Sequence, residues 1–432
     1  QRDGQTIRQF GALKNHVKNS FQMPPVHNGT ATEYFNKLIE GIRYANELPK
    51  GPVHFNIPFK EPFYPTQEQK LELIEFNLNH IEFKKSKVDL PDIANFKRVL
   101  VLVGQQPMDV ELSEALESLA KEIPILVSPL NNLQVDGIRH YDLFLKNQSE
   151  LAPDLLITSG LSVLSKNLKG FIRSANPKEH WHFDPAGVKV DTYNSNPHLI
   201  NADIRLVLPA LHQATLDVEF FNAWQTADEH AKALLKAVIE KTDFSELTAF
   251  EKALGSIPTN ANLHLGNSMP VRYADIMGVR KGIESFCNRG TSGIEGVTST
   301  ALGAALASTK LNVLLTGDLS FLYDRNAFFH NHEYSNLRII VFNNNGGGIF
   351  RLIEGPSKLE ELEEYFETRH DRTAEHVCAE NKIAYQQVRN GDELSLALED
   401  FFDDSNAFKL LEVFTNPVVN QKVYRELRKI FA

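Results

Sequence analysis

Two apolar runs in the last third of the chain each end in a turn rich in Gly, Asp and Asn. The run at 312–315 leads into Gly317-Asp318-Leu319-Ser320, and the run at 338–342 leads into Asn343-Asn344-Asn345-Gly346-Gly347. The stretch between the turns has room for one helix and one strand, and this alternation implies a parallel sheet flanked by helices. Parallel strands end at one edge of their sheet, where open α/β sheets bind ligands. The two turns are therefore predicted to lie side by side at a binding edge.

Earlier segments alternate in the same way. Apolar strands are predicted at 99–103, 123–127, 155–159, 181–183, 204–208 and 262–265, and helices at 111–122, 165–172 and across 216–254. Continuous apolar runs of this length are typical of buried parallel strands. With 432 residues, the chain is also too long for one ordinary core. We therefore predict a multi-domain α/β fold with parallel sheets flanked by helices.

Shifts in composition suggest four segments. Residues 1–63 contain one helical stretch and one short strand and are predicted to be the end of a domain. Residues 64–97 are charged and punctuated by Pro, as interdomain linkers are. Residues 98–240 are predicted to form a central α/β domain, and residues 241–432 the domain that carries the two turns.

Composition narrows the class of protein. The formal net charge of -10 argues against a nucleic-acid partner, because a phosphate backbone attracts a basic surface. No apolar run approaches the ~20 residues that span a bilayer, so no membrane insertion is expected. Cys287 and Cys378 are too few for a disulfide framework and suit a cytoplasmic location. The chain starts at Gln1 without an initiator Met, so we expect it to be a fragment that continues upstream.

The paired turns favour a metal and diphosphate site. A carboxylate, an amide oxygen and a backbone carbonyl are hard oxygen ligands, which suit Mg²⁺ when a substrate's phosphates complete the coordination. Gly residues let the backbone approach a diphosphate closely. Either turn alone would be an ordinary connection between a strand and a helix, where Gly, Asp and Asn are favoured anyway. It is the ordered pair that predicts the site.

This pair of turns, GDxS and then NN, resembles the signature of enzymes dependent on thiamine diphosphate (ThDP). The resemblance implies that Asp318, the side chain of Asn344 and the carbonyl of Gly346 bind Mg²⁺ or Mn²⁺. It also implies that ThDP contacts both turns and a further Asn-Arg-Gly turn, through Asn288, Gly290, Ser292, Gly293, Ile294, Gly317, Asp318, Leu319, Ser320, Asn344, Gly346, Gly347 and Ile349.

A narrower resemblance is to the 2-succinyl-5-enolpyruvyl-6-hydroxy-3-cyclohexene-1-carboxylate (SEPHCHC) synthase family of menaquinone biosynthesis. The segments that carry it are GQTIRQ (4–9), GPVHFNIPF (51–59), GNSMPVR (266–272), NRGTSGIEG (288–296), GDLSFLYDRNA (317–327) and NNNGGGIF (343–350). It implies a transferase that decarboxylates 2-oxoglutarate and adds the product to isochorismate by conjugate addition. It also implies a homodimer or homotetramer, in which 1–63 is the end of the pyrimidine-binding domain and 241–432 is the diphosphate-binding domain.

The resemblance further assigns substrate-binding residues. Ser268 and Arg272 match the GNS-x-x-x-R turn, and Arg289 matches the Asn-Arg-Gly turn; in the family these residues contact substrate carboxylates. Arg suits that role because its fork binds a carboxylate through two hydrogen bonds and keeps its charge. Lys166 matches the first member of a basic pair in the central domain. The second member is Asn167 here, which departs from the family pattern.

Three more residues receive roles by resemblance alone. Ile294 matches the bulky aliphatic residue that holds ThDP in its bent shape, so the implied catalytic residues are Ile294, Arg289 and Ser268. Phe350 matches an aromatic residue of the substrate pocket, and Gln5 a substrate-binding Gln of the pyrimidine-side domain. Taken by themselves, Ile294 and Phe350 would be core residues and Gln5 a solvated one.

One expected feature has no match. ThDP enzymes need a Glu hydrogen-bonded to the aminopyrimidine ring, but Glu33, Glu40, Glu47 and Glu61 lie in a helix or linker and in no matching turn. We therefore expect residues 1–432 to fold but not to turn over by themselves. Two alternatives stay open: another ThDP-dependent decarboxylase or ligase of the acetolactate-synthase kind, and a non-catalytic fragment that binds metal, diphosphate or a nucleotide.

Overall fold

The computed structural model describes residues 7–24, 31–58, 89–146, 148–403 and 407–431. These residues fall into two compact units. The first unit holds the described residues of Gln1–Leu90, Asp184–Lys189 and Leu199–Asp203, and the second those of Pro91–Phe183, Val190–His198 and Ile204–Ala432. Most of the predicted linker 64–97 lies outside the described residues.

The first unit contains a small βαβ element. Strands β1 (Asn19–Gln22) and β2 (Val53–Asn56) pair in parallel, and helix α1 (Ala31–Asn46) connects them. The rings of Phe21 and Phe55 stack with centroids 5.1 Å apart on this strand pair. Parallel pairing with an intervening helix is a βαβ arrangement. The assignment of 1–63 to the end of a domain stays a prediction.

The second unit begins with a parallel sheet, called here the central sheet. Its elements in chain order are β3 (Val99–Val103), α2 (Val110–Glu117), β4 (Ile125–Leu126), α3 (Tyr141–Phe144), β5 (Leu155–Ser159), α4 (Lys166–Ala175) and β6 (Glu179–Phe183). The chain next forms β7 (His198–Ile200), whose Leu199 and Ile200 belong to the first unit, and then α5 (Leu208–Leu211) of the second unit. β3 pairs in parallel with β4 and β5, and β5 with β6. Every residue of β3 and β5 is buried, as expected for parallel strands covered on both faces.

Two predictions in this region are wrong in detail. The apolar run 204–208 is not a strand: residues Ile204–Leu206 form a 3-10 turn, and α5 follows. Pro209 occupies the first turn of α5, where its missing N–H costs nothing, so an apolar run that looks strand-like starts a helix instead. The helical region 216–254 is divided into α6 (Val218–Lys241) and α7 (Glu246–Ser256), because Ser245 and Thr248 form a capping box that starts a new helix.

A second parallel sheet, called here the C-terminal sheet, follows α7. Its elements are β8 (Asn262–Leu265), α8 (Met269–Met277), β9 (Glu284–Phe286), α9 (Val297–Ala307), β10 (Asn312–Gly317), α10 (Asp318–Tyr323), β11 (Leu337–Asn343), α11 (Glu375–Glu380), β12 (Ala384–Val388), α12 (Gly391–Phe401), β13 (Lys409–Phe414) and α13 (Pro417–Ile430). The strand order is β12-β13-β11-β10-β8-β9. β10 and β11 are parallel neighbours, with Gly317 opposite Phe342, so the turns that follow them do leave the same edge of the sheet.

Polar side chains connect the two sheets of the second unit. Asn132 accepts a hydrogen bond from the backbone N–H of Ser285 (2.7 Å) and donates one to its carbonyl (3.1 Å). Gln105 donates to the carbonyl of Cys287 (3.1 Å). These hydrogen bonds connect the central sheet to the C-terminal sheet. The domain limit predicted at 240/241 stays a prediction. Within the described part of the chain, no helix is both long and apolar enough to cross a membrane.

Candidate active site

Asp318 joins the two predicted turns. It is the first residue of α10, directly after β10, and only 4% of its surface is exposed. Its carboxylate accepts hydrogen bonds from the backbone N–H groups of Leu319 (2.7 Å) and Gly346 (2.9 Å). His370 Nε2 lies 3.3 Å from the same carboxylate oxygen that Gly346 contacts. The structure therefore brings Asp318 and the NNNGGG turn into direct contact.

The three Asn residues after β11 differ in what their side chains contact. Asn343 donates to Glu412 Oε1 (2.7 Å) and accepts from the backbone N–H of Asn345 (2.9 Å). Asn344 donates from Nδ2 to Glu246 Oε2 (2.6 Å), and its Oδ1 is buried without a hydrogen-bond partner among the described residues. Since a buried polar atom normally has a partner, this unpartnered amide oxygen is suited to bind a cation. This favours Asn344 over its neighbours as the metal-binding Asn.

Gly346 sits in a backbone conformation that suits only Gly. Its φ is +152°, and a Cβ added there would lie 2.7 Å from the carbonyl oxygen of Glu367. That same carbonyl accepts from the N–H of Gly347 (2.7 Å). The carbonyl of Gly346 accepts one backbone hydrogen bond, from Gly348 (3.0 Å), which leaves its second lone pair for another partner.

Together these groups fit the implied metal. The carboxylate of Asp318, the unpartnered Oδ1 of Asn344 and the carbonyl of Gly346 are all oxygen donors, as Mg²⁺ and Mn²⁺ prefer. Three protein donors leave open positions for water and for the oxygens of a diphosphate.

Glu246, the first residue of α7, was not found by sequence reasoning. It is 3% exposed and accepts from the side chains of Asn344 (2.6 Å) and Asn420 (3.4 Å). Burial raises the pKa of Glu246 to about 7; the negative charge of Asp318 adds to this, and the hydrogen bond from Asn344 opposes it. No motif surrounds Glu246 in the sequence, so only the packing of α7 against the turn shows its position.

Asn267 organises the other predicted turns. Its Nδ2 donates to the carbonyls of Asn288 (2.9 Å) and Gly293 (2.7 Å), and its Oδ1 accepts from Arg289 (2.8 Å). Asn267 is 6% exposed. Asn267 lies in the GNS turn, but the resemblance to the family gave it no role. Through Asn267, the turn after β8 and the turn after β9 form one structure.

Ser268 lies in the turn after β8, and Ile294 in the turn after β9. Ser268 has φ +75° and ψ −123°, an uncommon conformation for a residue with a side chain, and its carbonyl accepts from the Arg272 guanidinium. Strained backbone of this kind clusters at functional sites. The half-buried Ile294 offers its carbonyl to the hydroxyl of Ser320, which ties the Asn-Arg-Gly segment to α10.

The remaining predicted cofactor-binding residues lie in the same turns with unequal exposure. Gly290 and Ser292 are exposed, and Gly317, Leu319, Gly347 and Ile349 are half-buried. Phe350 is half-buried in the short 3-10 turn Gly348–Arg351, with its ring centroid 5.8 Å from that of Phe366. Gln5 lies outside the described residues.

A cavity of about 350 Å³ brings Lys166 and Arg272 together. The departure from the family pattern, Asn167, lines the same cavity and donates to the backbone carbonyl of Asp142 (2.7 Å). The described residues that line this cavity do not include Ser268, Arg289 or Phe350. The structure therefore unites two of the five described substrate-binding residues that were predicted and leaves the other three outside this space.

Charges in this cavity are unevenly balanced. Arg428 forms an ion pair with Asp142 (2.7 Å). Burial lowers the pKa of Arg272. Asp275 is 4% exposed, and its Oδ1 has no hydrogen-bond partner among the described residues. Burial and, second, the charge of Asp142 raise the pKa of Asp275 to about 8, so this group is mostly neutral at pH 7. Lys146, Lys166, Arg272 and Arg428 thus outnumber the carboxyl groups of this cavity, those of Asp142 and the mostly neutral Asp275, and an anionic ligand would restore the balance.

Comparisons with known proteins agree on one family. A family model described as the middle domain of thiamine pyrophosphate matches residues 75–265. The SEPHCHC synthase of Cytophaga hutchinsonii is 37% identical over 99% of this chain and 80% of its own length. The synthase of Flavobacterium johnsoniae is 36% identical over 98% of this chain and 79% of its own length. That of Bacteroides fragilis is 32% identical over 99% of this chain and 79% of its own length.

Similarity at this level spans both sheets and every turn described above. It favours the SEPHCHC synthases over the acetolactate-synthase alternative, because each of these relatives carries that name. The parallel α/β architecture and the matched ThDP-enzyme domain agree with it. This chain belongs to the SEPHCHC synthase family, the ThDP-dependent transferases of menaquinone biosynthesis.

Proposed function

We propose that this chain binds ThDP through a Mg²⁺ or Mn²⁺ ion held by Asp318, Asn344 and Gly346, and that its site serves the reaction of 2-oxoglutarate with isochorismate. The observation that supports the metal site best is the buried Oδ1 of Asn344, which has no hydrogen-bond partner among the described residues. The two substrates are those that the resemblance to the SEPHCHC synthase family implies, and the relatives are named for the product, SEPHCHC. Bound ThDP supplies the electron sink for decarboxylation.

The protein's own residues supply orientation and charge. Asp318 would neutralise part of the metal charge while the backbone N–H of Gly346 keeps its carboxylate in place (2.9 Å). The close approach of the Glu367 carbonyl requires Gly at 346, because a Cβ there would lie 2.7 Å from it. Gly346 and Gly347 also carry no side chain that would keep a diphosphate from the backbone. These residues bind and orient a cofactor; none of them needs to move a proton.

Substrate carboxylates are proposed to bind in the cavity shared by Lys166 and Arg272. Both proposed substrates are dianions, and this protein has a formal net charge of -10, so local cations are needed to attract them. The cavity is lined by four cationic side chains, those of Lys146, Lys166, Arg272 and Arg428, against the carboxyl groups of Asp142 and Asp275. Arg289 is held by Asn267 in the neighbouring turn and is proposed to contact substrate from there.

The metal assignment is tested with Asp318→Ala. Titration calorimetry of ThDP with and without MgCl₂ should show that the metal-dependent part of ThDP binding disappears. Asp324→Ala is the matched control: it removes a carboxylate that lies near the end of α10 and accepts from the N–H and hydroxyl of Ser299 (2.7 Å each). Metal-dependent binding that survives in Asp318→Ala would remove these turns from the metal site.

We further propose that residues 1–432 do not turn over by themselves, because no Glu in the sequence 1–63 matches the family's activating turn. Release of CO₂ from 2-oxoglutarate, measured with Mg²⁺ and ThDP, compares this chain with one extended upstream. Equal rates would show that the activating acid lies within these 432 residues. Size measured by light scattering tests the proposed homodimer or homotetramer.

A further inference from the structure

We infer that Glu246 is a positioning residue that holds the side-chain amide of Asn344 with its oxygen directed at the metal site. This inference rests on the proposed metal site and adds to it a residue from a distant helix. Glu246 belongs to α7, and Asn344 to the turn after β11. Their side chains meet at 2.6 Å, between Asn344 Nδ2 and Glu246 Oε2.

The geometry gives this contact a directional effect. Glu246 Oε2 accepts from Asn344 Nδ2, so this contact engages the N–H₂ end of the Asn344 amide. The two ends of an amide point in opposite directions. With Nδ2 facing Glu246, Oδ1 must face away, and it is this oxygen that is buried without a partner in the described structure. An amide turned the other way would present N–H groups to a cation.

Glu246 is itself held in place. Its backbone N–H donates to Asn420 Oδ1 (2.8 Å), and Asn420 Nδ2 lies 3.4 Å from Glu246 Oε2. Asn420 in turn donates to Thr415 Oγ1 (2.9 Å), just after β13. Because Glu246 is 3% exposed, water does not compete for its carboxylate. The chain of contacts from α13 through Glu246 to Asn344 is therefore fixed by packing.

Residues that hydrogen-bond to metal ligands commonly orient those ligands, and mutating such residues weakens metal affinity by about 10- to 100-fold. Glu246→Leu removes the acceptor and keeps the bulk, so Mn²⁺-dependent binding of ThDP should weaken by about this factor. Glu246→Gln keeps an oxygen that can accept from Asn344 and should stay close to the parent protein. Both are measured by titrating MnCl₂ at fixed ThDP, with calorimetry or the electron paramagnetic resonance of free Mn²⁺ as readout.

Glu412→Gln is the matched control. Glu412 is also buried (1% exposed), but it accepts from Asn343, the Asn next to the proposed ligand. A general loosening of this turn would weaken Mn²⁺ binding in Glu412→Gln as well. We expect that control to lose stability in urea and to keep its Mn²⁺ affinity.

A second pair of variants decides the case even if Glu246→Leu fails to fold. The negative charge of Asp in Asn344→Asp would by itself favour metal binding. It would also place a second carboxylate beside that of Glu246, because residue 344 contacts Glu246 at 2.6 Å. We expect Asn344→Asp to bind Mn²⁺ more weakly and the double variant Asn344→Asp/Glu246→Gln to recover it, since Gln can donate to the new carboxylate. A role of Glu246 in folding alone predicts no such recovery.

The outcomes separate this inference from the proposed function. If Glu246→Leu folds and binds Mn²⁺ like the parent, or if the double variant recovers nothing, Glu246 does not position the ligand, while loss of binding in Asp318→Ala still supports the metal site. If Asp318→Ala keeps metal-dependent ThDP binding, the metal site itself is wrong, and the inference falls with it.

Discussion

The guanidinium of Arg289 donates a hydrogen bond to the side-chain oxygen of Asn267, at 2.8 Å, and so connects the turn after β9 to the turn after β8. Asn267 uses its other end to donate to the carbonyls of Asn288 and Gly293, which flank Arg289 in the chain. One buried amide thus holds both the side chain of Arg289 and the backbone of its turn. The position of Arg289 therefore depends on Asn267 as much as on its own turn.

Asn267→Asp should keep the contact with the Arg289 side chain and lose the contacts with the backbone of its turn. The carboxylate can still accept from Arg289, but it faces the carbonyls of Asn288 and Gly293 without a donor. Leaving these half-buried carbonyls unpaired should cost about 1–3 kcal/mol in the free energy of unfolding and weaken ThDP binding. Urea unfolding and ThDP calorimetry measure the two effects.

Asn132→Asp provides the control for Asn267→Asp. Asn132 is another buried Asn that bridges backbone groups, those of Gln106 and Ser285, between the two sheets. It should lose comparable stability with ThDP affinity unchanged at a temperature where both variants are folded. Equal losses of ThDP affinity in the two variants would mean that Asn267 acts through stability alone.

Arg289→Lys should keep ThDP binding and impair substrate use. A Lys ammonium keeps the charge but cannot form the two-pronged contact with a carboxylate that Arg forms. Steady-state kinetics on 2-oxoglutarate and on isochorismate, in a chain extended upstream, should show a lower kcat/KM for at least one of them. Arg280→Lys, whose guanidinium contacts the carbonyl of Ile257 away from these turns, is the control. Unchanged kinetics for both substrates would remove Arg289 from the site.

Gly346→Ala should be strongly destabilising. The added methyl would lie 2.7 Å from the backbone carbonyl of Glu367, and the φ of +152° is unfavourable for Ala. We expect a loss of about 1–3 kcal/mol in the free energy of unfolding, measured with urea, and weaker metal-dependent ThDP binding. In Gly303→Ala, within α9, the new methyl meets no described atom within 4 Å, so that variant should gain stability slightly. Equal stabilities would contradict the tight approach of Glu367.

The buried carboxyl of Asp275 should make stability depend on pH. The pKa of Asp275 is about 8 in the folded protein and about 3.9 in the unfolded chain. Between about pH 4 and pH 8 the folded state therefore binds this proton more tightly than the unfolded state does. Stability should therefore fall as pH rises from about 4 to 8, by up to about 1.4 kcal/mol per pH unit from this group. Asp275→Asn should flatten that slope in urea unfolding from pH 5 to 8.

The exposed Asp392 in the first turn of α12 serves as the comparison, and Asp392→Asn should leave the slope as it is. Parallel pH dependence in Asp275→Asn and the parent chain would show that Asp275 is ionised in the folded protein.

Several features of the site could be predicted from local sequence. The apolar strands β10 and β11 and the turns after them follow from residues close in the chain, and their adjacency follows from the rule that parallel strands end at one sheet edge. The choice of Asn344 from three consecutive Asn residues came from resemblance. It stays a prediction, to which the structure adds that Oδ1 of Asn344 is buried without a hydrogen-bond partner among the described residues. The run 204–208 was assigned wrongly, because five apolar residues fit a strand as well as the start of a helix.

By itself the sequence determined the family, the parallel α/β architecture and the turns that carry Asp318, Asn344 and Gly346, because these depend on short patterns of strand, Gly and polar residue. Only the tertiary structure decided that Glu246 faces Asn344 and that Lys166 shares a cavity with Arg272. These partners lie about a hundred residues apart and on different elements. Their contacts arise from how helices pack on the two sheets, and no local pattern of residues encodes which side chains such packing brings within hydrogen-bonding distance.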